Sequence, residues 1–165
     1  MITENNTYIH PTAVIGPNVT FGPDCYIGPH CIIGYPAEWK GFEGQDAGVH
    51  IGTGTRVTGA VTIDSGVNRR TEIGPGCYLV KGSHVGHDAW LHANVTLSCG
   101  AKIGGHATIG PHCNIGLNAA IHQSVKVPAG CMIGACGFVG KKSELKEFHK
   151  YAGVPVRCLG ENHPI

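Results

Sequence analysis

Residues 73–139 divide into sixes: IGPGCY-LVKGSH-VGHDAW-LHANVT-LSCGAK-IGGHAT-IGPHCN-IGLNAA-IHQSVK-VPAGCM-IGACGF-V. An aliphatic residue opens every block: Ile73, Leu79, Val85, Leu91, Leu97, Ile103, Ile109, Ile115, Ile121, Val127, Ile133 and Val139. A small residue, a valine or a cysteine stands fifth. A period of six suits neither a 3.6-residue helix nor an unbroken two-residue alternation. It suits a hexapeptide solenoid, in which three short strands make one coil and equivalent side chains stack from coil to coil. The first and fifth residues face inward, and Gly, Pro, Asn, Asp and His between them turn the corners.

Working outward, the same period begins at Ile9 and runs through Ile15, Phe21, Ile27 and Ile33. It breaks over 34–50 (GYPAEWKGFEGQDAGVH), resumes at Ile51, Val57 and Ile63, and breaks again at 68–72 (NRRTE). The expectation is an all-β, left-handed parallel β-helix of about seven coils. It fills 1–140, with a loop excursion at 34–50, and gives way at 141–165 to a short helix and a tail. Ser143 caps that helix, Glu144 to Lys150, with Leu145 and Phe148 on one face. A long excursion in a regular solenoid is either a ligand loop or a mobile surface flap, and the first reading is favoured.

Composition narrows the function classes. The net charge of +1 carries no run of like charge, which argues against nucleic acid or a polybasic membrane contact. No apolar stretch approaches the roughly 20 residues of a membrane span, and the opening Met-Ile-Thr-Glu-Asn-Asn has no signal-peptide pattern. A cytoplasmic protein is expected. Of the 8 cysteines, Cys25, Cys31, Cys77, Cys113 and Cys131 occupy the inward fifth position, where a thiol is a small apolar filler. Cys99, Cys136 and Cys158 lie out of phase.

The 11 histidines are the unusual feature. Eight lie in the hexads and none at an inward position, so they are either solvated corners or a site. Residues eighteen apart stack, which sets His87 below Gly105 and Gly105 below Gln123, beside a column of Asp88, His106 and Ser124. His84 and His122 border the same region. An imidazole under a bare backbone N–H, with an acid alongside, suits a general base and an oxyanion donor. No serine or cysteine has a nucleophile's context. The fold also resembles trimeric hexapeptide carbonic anhydrases, whose third zinc histidine would fall at Val127; no metal is therefore expected.

The segment from Ser83 to Gln123 resembles the UDP-N-acetylglucosamine O-acyltransferases of lipid A biosynthesis. His84-Val-Gly-His87-Asp88 is similar to that family's H-x-x-H-D, Gly105-His106 to its Gly-His, and Ile121-His122-Gln123 to its [VI]-H-Q. Ile9-His-Pro-Thr-Ala13, Tyr151-Ala-Gly-Val-Pro-Val-Arg157 and Gly160-Glu-Asn162 extend the likeness. The resemblance implies His87 as the base, Asp88 as its orienting acid and Gly105 as oxyanion donor. It implies substrate contacts from His84, His106, His122, Gln123, Glu38, Lys40 and Asn162. It further implies an acyl carrier protein donor, a nucleotide-sugar acceptor such as UDP-GlcNAc, a homotrimer and no cofactor. The family continues into a helical C-terminal domain, so a form lacking it is expected here. Acetyl-CoA is the alternative donor, since the Tyr151–Arg157 segment also resembles CoA-dependent sugar O- or N-acetyltransferases. A non-catalytic solenoid scaffold is the alternative outside the enzymes.

Overall fold

The computed structural model describes residue 3 and residues 5–163. The chain winds as a left-handed parallel β-helix with three flat walls. The first wall runs from strand Tyr8–Ile9 through Tyr78–Leu79 to His149–Ala152, the second from Val14–Ile15 to Phe138–Val139, and the third from Val19–Phe21 to Lys126–Val127. Most strands are two residues long, too short to hold alone, so each is held by the coils on either side. The rungs are backbone hydrogen bonds such as Tyr78 N–H to the Val95 carbonyl and Val80 N–H to the Leu97 carbonyl, both 2.9 Å.

The core is the expected stack. Ile73, Leu79, Val85, Leu91, Leu97, Ile103, Ile109 and Ile115 are fully buried, with Cys77, Ala89, Val95, Ala101, Ala107 and Cys113 between them. Burying each such aliphatic contributes about 1.5–3 kcal/mol. The inward cysteines do more than fill space, because their thiols donate to corner carbonyls: Cys77 to His92 at 3.1 Å, Cys113 to Pro128 at 2.9 Å and Cys131 to Lys146 at 3.2 Å. Burial pushes the Cys77 thiol up to about 11, which keeps it protonated and inert.

Corner chemistry accounts for several histidines. In most hexads one residue takes a left-handed backbone conformation, among them His30, Asp88, Asn94, His106, His112, Asn118 and Ser124, with φ between 53° and 62°. Short polar side chains and histidine tolerate this conformation better than β-branched ones do.

Two departures interrupt the coil of eighteen. Ile33 pairs with Ile63, thirty positions on, and Ile63 with Val85, twenty-two on, whereas Val85 pairs with Ile103 at the regular eighteen. The extra residues of both leave the prism between the second wall and the third.

The expected helix from Glu144 to Lys150 is absent. Leu145 and Tyr151 continue the six-residue phase from Val139, and strand His149–Ala152 pairs in parallel with Met132–Ile133, setting Tyr151 beside Ile133. Leu145 packs on the core and Tyr151 is 3% exposed, so burial in the stack overrides the helical pattern. The chain then turns back as the antiparallel strand Arg157–Glu161. Among the described residues no helix is long and apolar enough to cross a membrane. Replacing Tyr151 with Ala should destabilise the fold by about 3 kcal/mol or more, as for a core aromatic. Denaturant midpoints at unchanged slope measure this; a cost below about 0.5 kcal/mol would return Tyr151 to an exposed tail.

Candidate active site

At the corner between the second and third walls, strand His84–Val85 ends and Gly86-His87-Asp88 turns the chain into strand Trp90–Leu91. Asp88 is the fixed point. Its carboxylate has no solvent exposure and accepts the backbone N–H groups of Val67 (3.0 Å), Asn68 (2.8 Å) and Arg69 (2.6 Å) together with His87 Nδ1 (2.7 Å). Its own N–H donates to Thr71 Oγ1 at 3.0 Å, and Arg69 Nε donates to its carbonyl at 3.0 Å. Burial pushes the Asp88 carboxyl up, but the imidazole and the Arg69, Val67 and Asn68 N–H groups outweigh it and hold it below the usual carboxylate range.

The carboxylate fixes the neighbouring ring. A neutral His87 hydrogen-bonded to Asp88 through Nδ1 carries its proton there and leaves Nε2 as the acceptor. Nε2 faces Gly105: a Cβ built on that glycine would sit 2.9 Å from it, so the close approach needs a residue with no side chain. The Gly105 N–H has no hydrogen-bond partner among the described residues. His106 stands edge-on to His87 at 4.9 Å between centroids, and Trp39 reaches over from the long loop to 6.3 Å. Trp39, Val67, Asn68, His87, His106, Gln123 and Ser124 line a cleft of about 180 Å³.

The other expected residues divide. His84 is not among the residues that line the cleft; it lies on the second wall, its Nδ1 2.8 Å from Thr62 Oγ1 and its Nε2 3.9 Å from Asp64. His122 lies on the same corner two coils above, its Nδ1 3.1 Å from the Gln123 carbonyl and its ring 6.3 Å from Phe138. Glu38 and Lys40 flank Trp39 as exposed loop residues. Asn162 is elsewhere: its amide donates to the Gly130 carbonyl at 2.8 Å, at the corner between the third wall and the first.

Asp64 was not singled out by sequence reasoning, and the break at 68–72 was noted without its role of holding Asp88. Asp64 is a buried carboxyl whose pKa rises through burial, with the Glu38 charge adding to it against the Glu38 N–H, His84 and His87. The gap from Ile63 to Ile73 was the available signal for the turn. His87, Asp88 and His106 bring three possible metal-ligating atoms within 4.8 Å. The Asp88 oxygens are already engaged by four donors, however, so a cation there would have to displace the hydrogen bonds that hold the ring. The donor set fits an oriented imidazole better than a metal centre.

Known proteins carry the same repeats. A model of the bacterial transferase hexapeptide (six repeats) matches residues 5–38, and one of the hexapeptide repeat of succinyl-transferase matches 106–143. The chain is 34% identical over 91 residues to the acyl-[acyl-carrier-protein]–UDP-N-acetylglucosamine O-acyltransferase of Campylobacter concisus, covering 53% of this chain and 35% of that one. Against the Paracoccus denitrificans enzyme of the same name, identity is 32% over 101 residues, covering 59% and 39%. The chain thus spans a little over a third of the length of these curated relatives. Among solved structures, the UDP-N-acetylglucosamine O-acyltransferase of Moraxella catarrhalis superposes with a TM-score of 0.78 at 23% identity, over 93% of this chain and 74% of that one. A Caulobacter crescentus protein in complex with CoA and GDP-perosamine superposes with a TM-score of 0.62 at 22% identity, over 93% and 57%.

The pH dependence follows from Asp88. A carboxyl whose folded pKa is depressed contributes stability that is full above its unfolded value, about 3.9, and is lost as pH falls through the folded value. The difference in melting temperature between wild type and Asp88→Asn should therefore be constant near neutrality and shrink only below about pH 3.9. A difference that shrinks between pH 7 and pH 5 would contradict the assignment.

Proposed function

We propose that this chain, whose repeats are similar to those of bacterial hexapeptide transferases, moves an acyl group from a carrier-protein thioester to a hydroxyl of a nucleotide sugar resembling UDP-GlcNAc. The carrying observation is the His87 imidazole, held through Nδ1 by the buried Asp88 carboxylate with Nε2 toward Gly105. His87 Nε2 takes the proton of the acceptor hydroxyl as its oxygen attacks the thioester carbonyl. The Gly105 N–H stabilises the tetrahedral oxyanion. On collapse the carbon–sulfur bond breaks, and the imidazolium returns its proton to the departing thiolate. Asp88 stays ionised and steadies the imidazolium.

His84, His106, His122, Gln123, Glu38 and Lys40 are assigned to substrate contacts around this corner. Asn162 serves another protomer's cleft in a homotrimer, being at a different corner of its own coil. A cleft of about 180 Å³ is small for a nucleotide sugar, which favours completion by a neighbouring chain. The relatives named for acyl-carrier-protein and UDP-N-acetylglucosamine chemistry support this reading of donor and acceptor. Carrier-protein thioesters place the reaction in the cytoplasm.

Incubating the chain with UDP-GlcNAc and either 3-hydroxyacyl carrier protein or acetyl-CoA, with products read by mass spectrometry, tests the reading. Acyl transfer from the carrier is expected; turnover with acetyl-CoA alone would make the chain a sugar acetyltransferase. His87→Ala should lower kcat by roughly 10²–10⁴. Gly105→Ala should also lower kcat, since its methyl group presses on Nε2. A chain that transfers from neither donor, and whose ligand-induced melting shifts survive His87→Ala, would be a scaffold.

A further inference from the structure

A second cleft lies on the far side of the turn that holds Asp88. It is open, about 320 Å³ in volume, and lined by Arg69, Arg70, Glu72 and Trp90 on the third wall. Its size falls in the range of small-ligand sites and exceeds that of the cleft at His87. We propose that it binds a nucleoside diphosphate, the diphosphate on the two guanidinium groups and the base on the Trp90 indole.

The parts are oriented for this. Arg69 donates its Nε to the Asp88 carbonyl at 3.0 Å, which fixes the plane of the guanidinium, and its terminal amino groups have no protein partner among the described residues. Arg70 is held by Glu72 at 2.7 Å. Fixed guanidinium forks suit phosphate oxygens better than mobile ammonium groups do. Glu72 leaves the cleft with a net single positive charge and steers the anion toward Arg69. Trp90 stands in register between Glu72 and Thr108, remains 43% exposed, and stacks on His92 at 4.2 Å and 22°. An indole stiffened on one side and open to solvent is a platform for a heterocycle. The turn at 67–70 thus has two working sides, backbone N–H groups inward on Asp88 and arginines outward.

Two sources carry this chemistry: the adenosine diphosphate portion of a CoA donor, or the uridine diphosphate of the acceptor. The inference rests on the acyl-transfer reading for what hangs from the nucleotide. Binding, however, is measured without turnover, so failure of one leaves the other standing.

The chain has 2 tryptophans, so in Trp39→Phe the emission reports Trp90 alone. Titration with ADP and with UDP should quench it saturably and more weakly as salt rises. By calorimetry, Trp90→Ala and Arg70→Ala should each weaken nucleotide binding roughly 5- to 100-fold, with circular dichroism unchanged. Tighter binding of ADP and CoA than of UDP assigns the cleft to the donor; the reverse order assigns it to the acceptor. No saturable binding of either nucleotide at millimolar concentration, or unchanged affinity in both variants, overturns the proposal. So would a blue-shifted Trp90 emission that neither nucleotide quenches, the signature of an indole covered by a second copy.

Discussion

Register is the constraint on which this structure depends. Each strand is so short that it exists only because the coil above and the coil below present matching N–H and carbonyl groups eighteen residues away. A residue added within a coil cannot be absorbed by a wall, because a one-residue slip would turn the inward side chains outward. It has to leave the prism at a corner. Both departures do so at the same corner, between the second wall and the third, and both arrive at His87. The first brings Trp39 over the imidazole; the second brings three N–H groups onto its acid.

The Asp88 arrangement shows how a solenoid of small and aliphatic residues can hold a charge. An unexposed carboxylate is costly unless its lone pairs are occupied. Here the short turn supplies that solvation as a concave set of amides, and Thr71 ties down the backbone of the acid itself. The result is a fixed anion against one nitrogen of an imidazole whose other nitrogen stays open. Such preorganisation removes the reorganisation that water would require when the ring becomes charged.

Much of the fold and half of the site could be read from residues. The hexads placed the inward positions correctly because a three-sided core excludes nearly everything but aliphatic and small side chains. Stacking by eighteen brought His87, Gly105 and Gln123 into one column, since no insertion falls between them. What escaped was whatever depended on an insertion or on a weak phase. The partners of Asp88 lie across the break at 68–72, where counting fails. Asp64 was passed over because nothing in VTID distinguishes an acid facing solvent from one enclosed by a loop. Leu145 and Tyr151 kept the period, but Ser143 suited a helix cap and Leu145 and Phe148 suited one face of a helix over Glu144–Lys150. A stack that still had apolar surface to cover settled that competition.

The long loop is fastened at its far end, not at its tip. Asp46 is gripped by Ser65, by the Gly48 N–H and by Asn18, and Ala47 N–H reaches the Gly66 carbonyl at 2.8 Å. None of these ties involves His87, Asp88 or Gly105. Loop length beyond this clasp carries only a slowly growing entropic cost. The segment from 36 to 45 can therefore be exchanged for a longer or shorter one while the His87–Asp88 pair stays in place. In this architecture, the loop that overhangs the cleft and the corner that fixes the imidazole can diverge independently.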